Sequence, residues 1–124
     1  MAIQDYIVHE VGDQLDRKPT YPASGGKVGD PAMFGRRPAV LKTDQNATTG
    51  KATLKFCGSH KFTVHGVAAS SGAAVAVGDD LYYDPSPGSG NPNINKDVTN
   101  GVFFGIANGV VASGAKTVIT VDFV

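Results

Sequence analysis

Apolar residues in this chain come in short runs separated by turn residues, and within the runs they tend to alternate with polar ones. The clearest case closes the chain. In 116–124, Thr117, Ile119, Val121 and Phe123 fall on one face, with Lys116, Val118, Thr120, Asp122 and Val124 on the other. Alternation combined with β-branched content predicts a half-buried strand. The same logic predicts strands over 51–56, pairing Leu54 with Phe56, and over 61–67, pairing Phe62 with Val64. In the second of these, Lys61, Thr63 and His65 share the opposite face. Two short aromatic runs, 80–84 and 102–107, are each entered through a turn, Gly78-Asp79 and Asn100-Gly101. Tyr82 and Tyr83 point to opposite faces of the first run, so one is expected in the core and the other at the surface or an interface. Asn108-Gly109 is a further hairpin signal, because both residues tolerate positive φ.

With 16 glycines and 7 prolines, few stretches could hold three turns of helix. Only 68–76 allows a helical turn, and Gly72 in its middle weakens it. Two long loops are expected, 19–29 and 85–96. The second is polar and without periodicity, which predicts a mobile surface excursion. Short strands between frequent turns predict an all-β fold, a compact small β-barrel or β-sandwich with long surface loops. At 124 residues the chain fits a single domain over 1–124. A domain of this size buries only roughly 65% of its unfolded surface, which favours assembly with a partner. Residues 1–12 differ: Ile3, Tyr6, Ile7, Val8 and Val11 follow no clean period before Gly12-Asp13. They read as an extended N-terminal arm or a first edge strand.

Lys+Arg and Asp+Glu both number 11, a net charge of zero. That argues against a dedicated nucleic-acid binder, and it leaves no long-range repulsion between copies. The distribution is uneven. Residues 1–16 carry four acids and no base, 17–61 carry nine bases and two acids, and 62–124 carry two bases and five acids. The strands are expected to mix these charges on folding; the alternative is a dipolar molecule with one basic surface that docks on an acidic one. A single cysteine, Cys57, allows no internal disulfide. No secretory leader pattern or membrane-length apolar run is present, which predicts a soluble protein made in a cytoplasm.

The candidate chemistry is thin. The run from Gly109 to Thr117 approaches the phosphate-binding pattern G-x-x-x-x-G-K-[ST], but Ala115 separates Gly114 from Lys116. That loop also needs a following helix, and a β-branched strand follows instead. Cys57, His60 and His65 are soft metal ligands in one neighbourhood, but structural zinc takes four ligands and only His9 or a distant carboxylate could complete the set. They read as turn and solvent-face histidines beside a partly buried thiol. A Cys/His nucleophilic pair lacks a third, orienting group. Asp79, Asp80 and Asp84 flank a short strand, where aspartate serves turns. Arg36 and Arg37 follow Gly35 at an expected hairpin tip, exposed and available for docking. No catalytic, cofactor or metal site is assigned, and the chain reads as a structural protein, not an enzyme.

The order of these features carries more than any one of them. Tyr6-Ile7-Val8 leads to Gly12-Asp13-Gln14-Leu15-Asp16, then Pro22-Ala23-Ser24-Gly25-Gly26-Lys27-Val28 and Gly29-Asp30-Pro31. Ala39-Val40-Leu41-Lys42-Thr43-Asp44 follows, and later Val75-Ala76-Val77-Gly78-Asp79-Asp80-Leu81-Tyr82-Tyr83-Asp84. Phe104-Gly105-Ile106-Ala107 and Ala112-Ser113-Gly114-Ala115 precede the last strand. From about Tyr6 to Val124 the succession resembles a family of small tailed-phage head-gene proteins long carried as a domain of unknown function. Some members bear a misleading recombinase label, which size and motifs exclude. Members look like capsid decoration, or cement, proteins. The resemblance implies a compact β-fold that trimerises on the outer capsid surface, with the major capsid protein as partner and no nucleic acid or membrane involved. Its expected location is the virion. The loop 85–96 and the turn 56–60 are particular to this sequence. For capsid contact the expected residues are Tyr6 and Val8 in the arm, with Arg36 and Arg37 next. The alternatives from other classes are a tail or baseplate adaptor and a carbohydrate-binding module.

Overall fold

The computed structural model describes residues 14–69 and 71–123; among these there are strands and no helix. The first four strands, β1 (Gln14–Arg17), β2 (Pro31–Phe34), β3 (Arg37–Leu41) and β4 (Ala52–Lys55), form an antiparallel sheet in the order β1-β4-β3-β2. Phe34 pairs with Arg37, so Gly35-Arg36 is a two-residue hairpin loop. Gly35 has φ 62°, the left-handed value that the first loop position of a type II′ turn requires. Both faces of the sheet are apolar. Met33 and Val40 belong to the core of the neighbouring barrel, while Ala32, Ala39, Leu41, Ala52, Leu54 and Phe56 form a second cluster. The loop 19–29 packs against that cluster: Gly26 sits so close that a Cβ there would lie 2.5 Å from Leu41 Cδ1.

The barrel is built from β5 (Ser59–His65), β8 (Asp80–Tyr83), β9 (Ile94–Asn95), β10 (Val102–Asn108) and β11 (Lys116–Asp122), closed in the order β10-β11-β5-β9-β8. A small hairpin, β6 (Val67–Ala68) and β7 (Ser71–Gly72), lies between the first two. The inward residues of the alternating strands, Phe62, Val64, Leu81, Ile119 and Val121, fill the interior with Ile94 and Phe104. Phe104 meets Phe62 and Phe123 edge-on at centroid distances of 5.1 and 5.3 Å, a favoured aromatic geometry. It reaches the interior through a bulge: Phe103 pairs with Tyr82 and Gly105 with Leu81, leaving Phe104 as the extra residue. Gly105 is required there, since a Cβ would lie 2.7 Å from the Asp122 carbonyl oxygen.

The predicted all-β class holds, and the architecture is a small barrel flanked by a sheet. The strands expected near 51–56, 61–67, 80–84, 102–107 and 116–124 all form; Leu54, Phe56, Phe62, Val64, Ile119 and Val121 are buried as expected, whereas Thr117 is exposed. Three further local expectations do not hold. Residues 68–76 contain a hairpin strand, not a helical turn, because β6 finds a partner in β7. The end of loop 85–96 is no surface excursion: Ile94 is fully buried as the strand that closes the barrel between β5 and β8. Asn108-Gly109 is not a tight hairpin either. Asn108 still pairs with Thr120, and the connection runs on to Lys116 with Val111 bridged to Val75. Gly109 is instead a close approach, where a Cβ would meet Ile119 Cβ at 2.8 Å. The expected arm, with Tyr6 and Val8, lies outside the described residues, as does Val124.

Candidate functional site

Charge is the first functional feature the fold organises. The sheet and its loops come from one continuous stretch and the barrel from the next, so the cations stay mostly with the sheet; the mixing expected from the sequence is limited to Asp16, which joins them on β1, and Lys61, which joins the barrel on β5. Residues 14–55 carry eight Lys and Arg against Asp16, Asp30 and Asp44, whereas 59–123 carry three lysines against five aspartates. Four exposed cations gather at one end of the sheet. Arg17 lies opposite Ala52 in the β1–β4 register. The Lys18 stem lies over Gly50, where a Cβ would come within 3.1 Å of Lys18 Cε. The Lys42 N–H donates to the Thr53 carbonyl at 2.8 Å, and Lys51 immediately precedes β4. Lys27 is close by, 4.0 Å from Asp44 in an exposed pair that contributes little stability.

At the opposite end lie Arg36 and Arg37. Both are exposed, but only Arg36 occupies the hairpin tip; Arg37 begins β3 and holds its guanidinium 4.0 Å above the Phe56 ring. That cation–π contact ties Arg37 to the second apolar cluster. The structure therefore separates two residues that sequence reasoning treated alike.

A cleft of 380 Å³ runs between the barrel and the 22–31 segment, walled by Pro22, Asp30, Lys61, Thr63 and Val118 with Tyr83 beneath. Tyr21 stacks on Tyr83 at 6.0 Å. Burial, with the nearby Asp30 carboxylate and Tyr21 adding to it, pushes the Tyr83 phenol up to about 12. An acid whose pKa is raised on folding stabilises the native state below its unfolded value, ordinarily about 10, and that contribution is lost as pH rises through 12. Native Tyr83 should accordingly ionise near pH 12 in an absorbance titration, and stability should fall between pH 10 and 12. Tyr83→Phe should abolish both the step and that part of the alkaline loss; an unchanged titration curve would refute the assignment.

The remaining candidates resolve into structural roles. His60 Nε2 donates to the Cys57 carbonyl at 2.8 Å and its ring packs on Phe123, while His65 stays on the outer face of β5. Cys57 is exposed, not partly buried. No group of three or more His, Cys, Asp or Glu among the described residues could hold a metal ion. Asp79 accepts from the Ala76 N–H at 2.9 Å and from Lys96 Nζ at 3.0 Å, which hold its carboxyl below the usual range. Asp84 is buried and accepts from the Ser86 N–H at 2.9 Å; Asp80 is exposed. In the phosphate-loop look-alike, Lys116 Nζ donates to the Gly90 carbonyl and β11 follows directly. Tyr83 is the core member of its pair. Tyr82 lies on the outer face, edge-on to Phe103 at 6.2 Å.

Three buried polar residues escaped sequence reasoning: Gln45, Asp97 and Asn95, whose Oδ1 accepts from the Asp97 N–H at 2.9 Å. Gln45 Nε2 donates to the carbonyls of Pro22, Ala23 and Gly50, and its Oε1 accepts from the Gly26 N–H at 2.9 Å. Asp97 accepts from the Asn100 side chain at 2.8 Å and from the Thr99 and Asn100 N–H groups, which lower its pKa. The Asp97-x-Thr99-Asn100 pattern is a readable turn signal; nothing local marks Gln45. In comparisons with known proteins, no family model, curated protein or solved structure matches this chain.

Proposed function

We propose that this protein is a virion structural protein, a cement protein that binds the outside of a tailed-phage capsid as a homotrimer and stabilises it without catalysis or cofactor. The observation that carries the reading is the uneven distribution of charge: eight cations against three aspartates over 14–55, on the sheet and its loops, attached to a barrel with an excess of aspartate. A neutral molecule divided in this way presents a basic face to an acidic lattice without a large net charge. The order of motifs along the chain supports the same role, with the major capsid protein as partner. Arg36, exposed at its hairpin tip, joins Lys18, Lys42 and Lys51 as a docking cation, while Arg37 is partly committed to Phe56. Tyr6 and Val8 are proposed as apolar anchors.

The test is binding of the purified protein to emptied, expanded capsids of its own virus. Saturation at a fixed ratio to capsid subunits is expected, with affinity falling steeply between low and high salt as exposed charges are screened. Protein lacking residues 2–9 should keep its melting temperature and lose capsid binding. Absence of saturable binding at any salt concentration would sink the proposal. Unchanged affinity in the truncated protein would remove Tyr6 and Val8 from the contact.

A further inference from the structure

We propose that the open edge of β5 accepts the edge strand β1 of a second copy. On one side, all seven residues of β5 pair with β11, from Ser59 with Asp122 to His65 with Lys116. On the other side only Val64 has a ladder partner, Ile94. The chain cannot lengthen that contact upstream, because Pro92 has no N–H to offer and the Asn93 carbonyl already accepts from the Asp84 N–H at 2.7 Å. Residues 59–63 therefore have no strand neighbour on that side among the described residues, and Lys61, Phe62 and Thr63 line the 380 Å³ cleft. Such an edge is a template for another strand, whose main chain supplies the missing hydrogen bonds.

Each copy also carries the complementary piece. β1 ends the sheet order and, among the described residues, pairs only with β4, so its outer edge has no strand neighbour; there the Arg17 guanidinium donates to the Asp16 carbonyl at 2.9 Å, a contact an incoming strand replaces. β1 bears Asp16 and Arg17, both exposed; the cleft bears exposed Lys61 on one wall and half-buried Asp30 on the other. In the register that sets Asp16 opposite Lys61, Arg17 is turned toward the wall that carries Asp30, so opposite charges meet at both places. Like-charge arrangements would oppose the contact by comparable amounts, so the pairing selects this strand. Because two different surfaces meet, the contact is heterologous, and copies joined this way close into a ring or extend as a chain. The inference deepens the homotrimer half of the proposed function and does not require the capsid half.

Sedimentation equilibrium on the full chain provides the test. The wild type should associate. Lys61→Glu and Asp16→Lys should each weaken association by about tenfold or more, and the double variant should recover most of the loss, as paired charge reversals do at close ion pairs. Hydrogen exchange supplies a second reading: amides of 59–63 and of 14–17 should slow together as protein concentration rises. A wild type that stays monomeric, or a double variant no better than either single one, overturns the inference. So does slow exchange, in a dilute monomer, at those amides of 59–63 that do not bond to β11, which would mean that the chain covers this edge itself. Capsid binding by a protein that fails these tests would leave the cement reading standing and remove only this interface.

Discussion

Replacing Phe104 with alanine is expected to lower the free energy of unfolding by about 3–5 kcal/mol, a large part of the roughly 5–15 kcal/mol available to a small domain. Phe104 is fully buried, lies between Phe62 and Phe123, and sits at the bulge where β10 departs from its register with β8. Three rings meet at this point, so the cavity cannot close without moving β5, β10 and the end of β11 together. Its neighbour provides the control. Phe103 is 37% exposed and touches Tyr82 on the outer face, so Phe103→Ala should cost only about 0.5–1 kcal/mol. Urea unfolding followed by circular dichroism measures both. Equal losses at 103 and 104 would mean that the bulge does not direct Phe104 inward.

Gln45→Ala is expected to cost about 2–4 kcal/mol, more than its polarity and loop position imply. The side chain satisfies one N–H and three carbonyls drawn from 22–26 and from Gly50, and it is itself buried. Truncation leaves those groups without partners beside the Leu41 cluster, where water reaches them poorly. The Gly26 amide should then exchange faster than the barrel amides, because it loses its acceptor, while the Tyr21 and Gly29 amides keep theirs on Met33 and Leu41. Gln45→Glu tests the donor half separately: a carboxylate still accepts from Gly26 but repels the three carbonyls, so most of the loss should persist. A change below about 0.5 kcal/mol, the scale of an ordinary surface substitution, would show that the loop is held by other contacts.

The strands legible in the sequence were those with a polar face and an apolar face, because burial on one side of a pleated strand imposes a period of two. β11 reads directly from Thr117, Ile119, Val121 and Phe123, and β5 from Phe62 and Val64. β9 did not. A two-residue strand has no period, and Ile94-Asn95 sits among prolines, glycines and asparagines that signal a loop. Likewise 68–76 is apolar and small, and local propensity favours neither a helical turn nor a hairpin decisively. β6 and β7 exist because they pair with each other beside Gly66, which lies so near the Ala112 carbonyl that no Cβ fits.

Local pattern along the chain dictated the all-β class, most inward residues of the longer strands, and the turn roles of Asp79 and Asp84, since each follows from the geometry of a few neighbouring residues. The chain also held the charge imbalance of 17–61, though not its consequence. Whether those cations would be interleaved with the aspartates of the barrel depended on which strands pair, and pairing is a long-range choice that local pattern does not encode. The tertiary structure made that choice by joining β1 to β4 and closing β5 through β11 and β9. The same choice separated Arg36 from Arg37, placed Gln45 over the second apolar cluster, and left, among the described residues, two strand edges without a neighbouring strand, one beside Asp16 and one beside Lys61. Those features arise only when segments distant in sequence meet, because burial, charge placement and an unpaired edge are properties of the surfaces in contact and not of the residues alone.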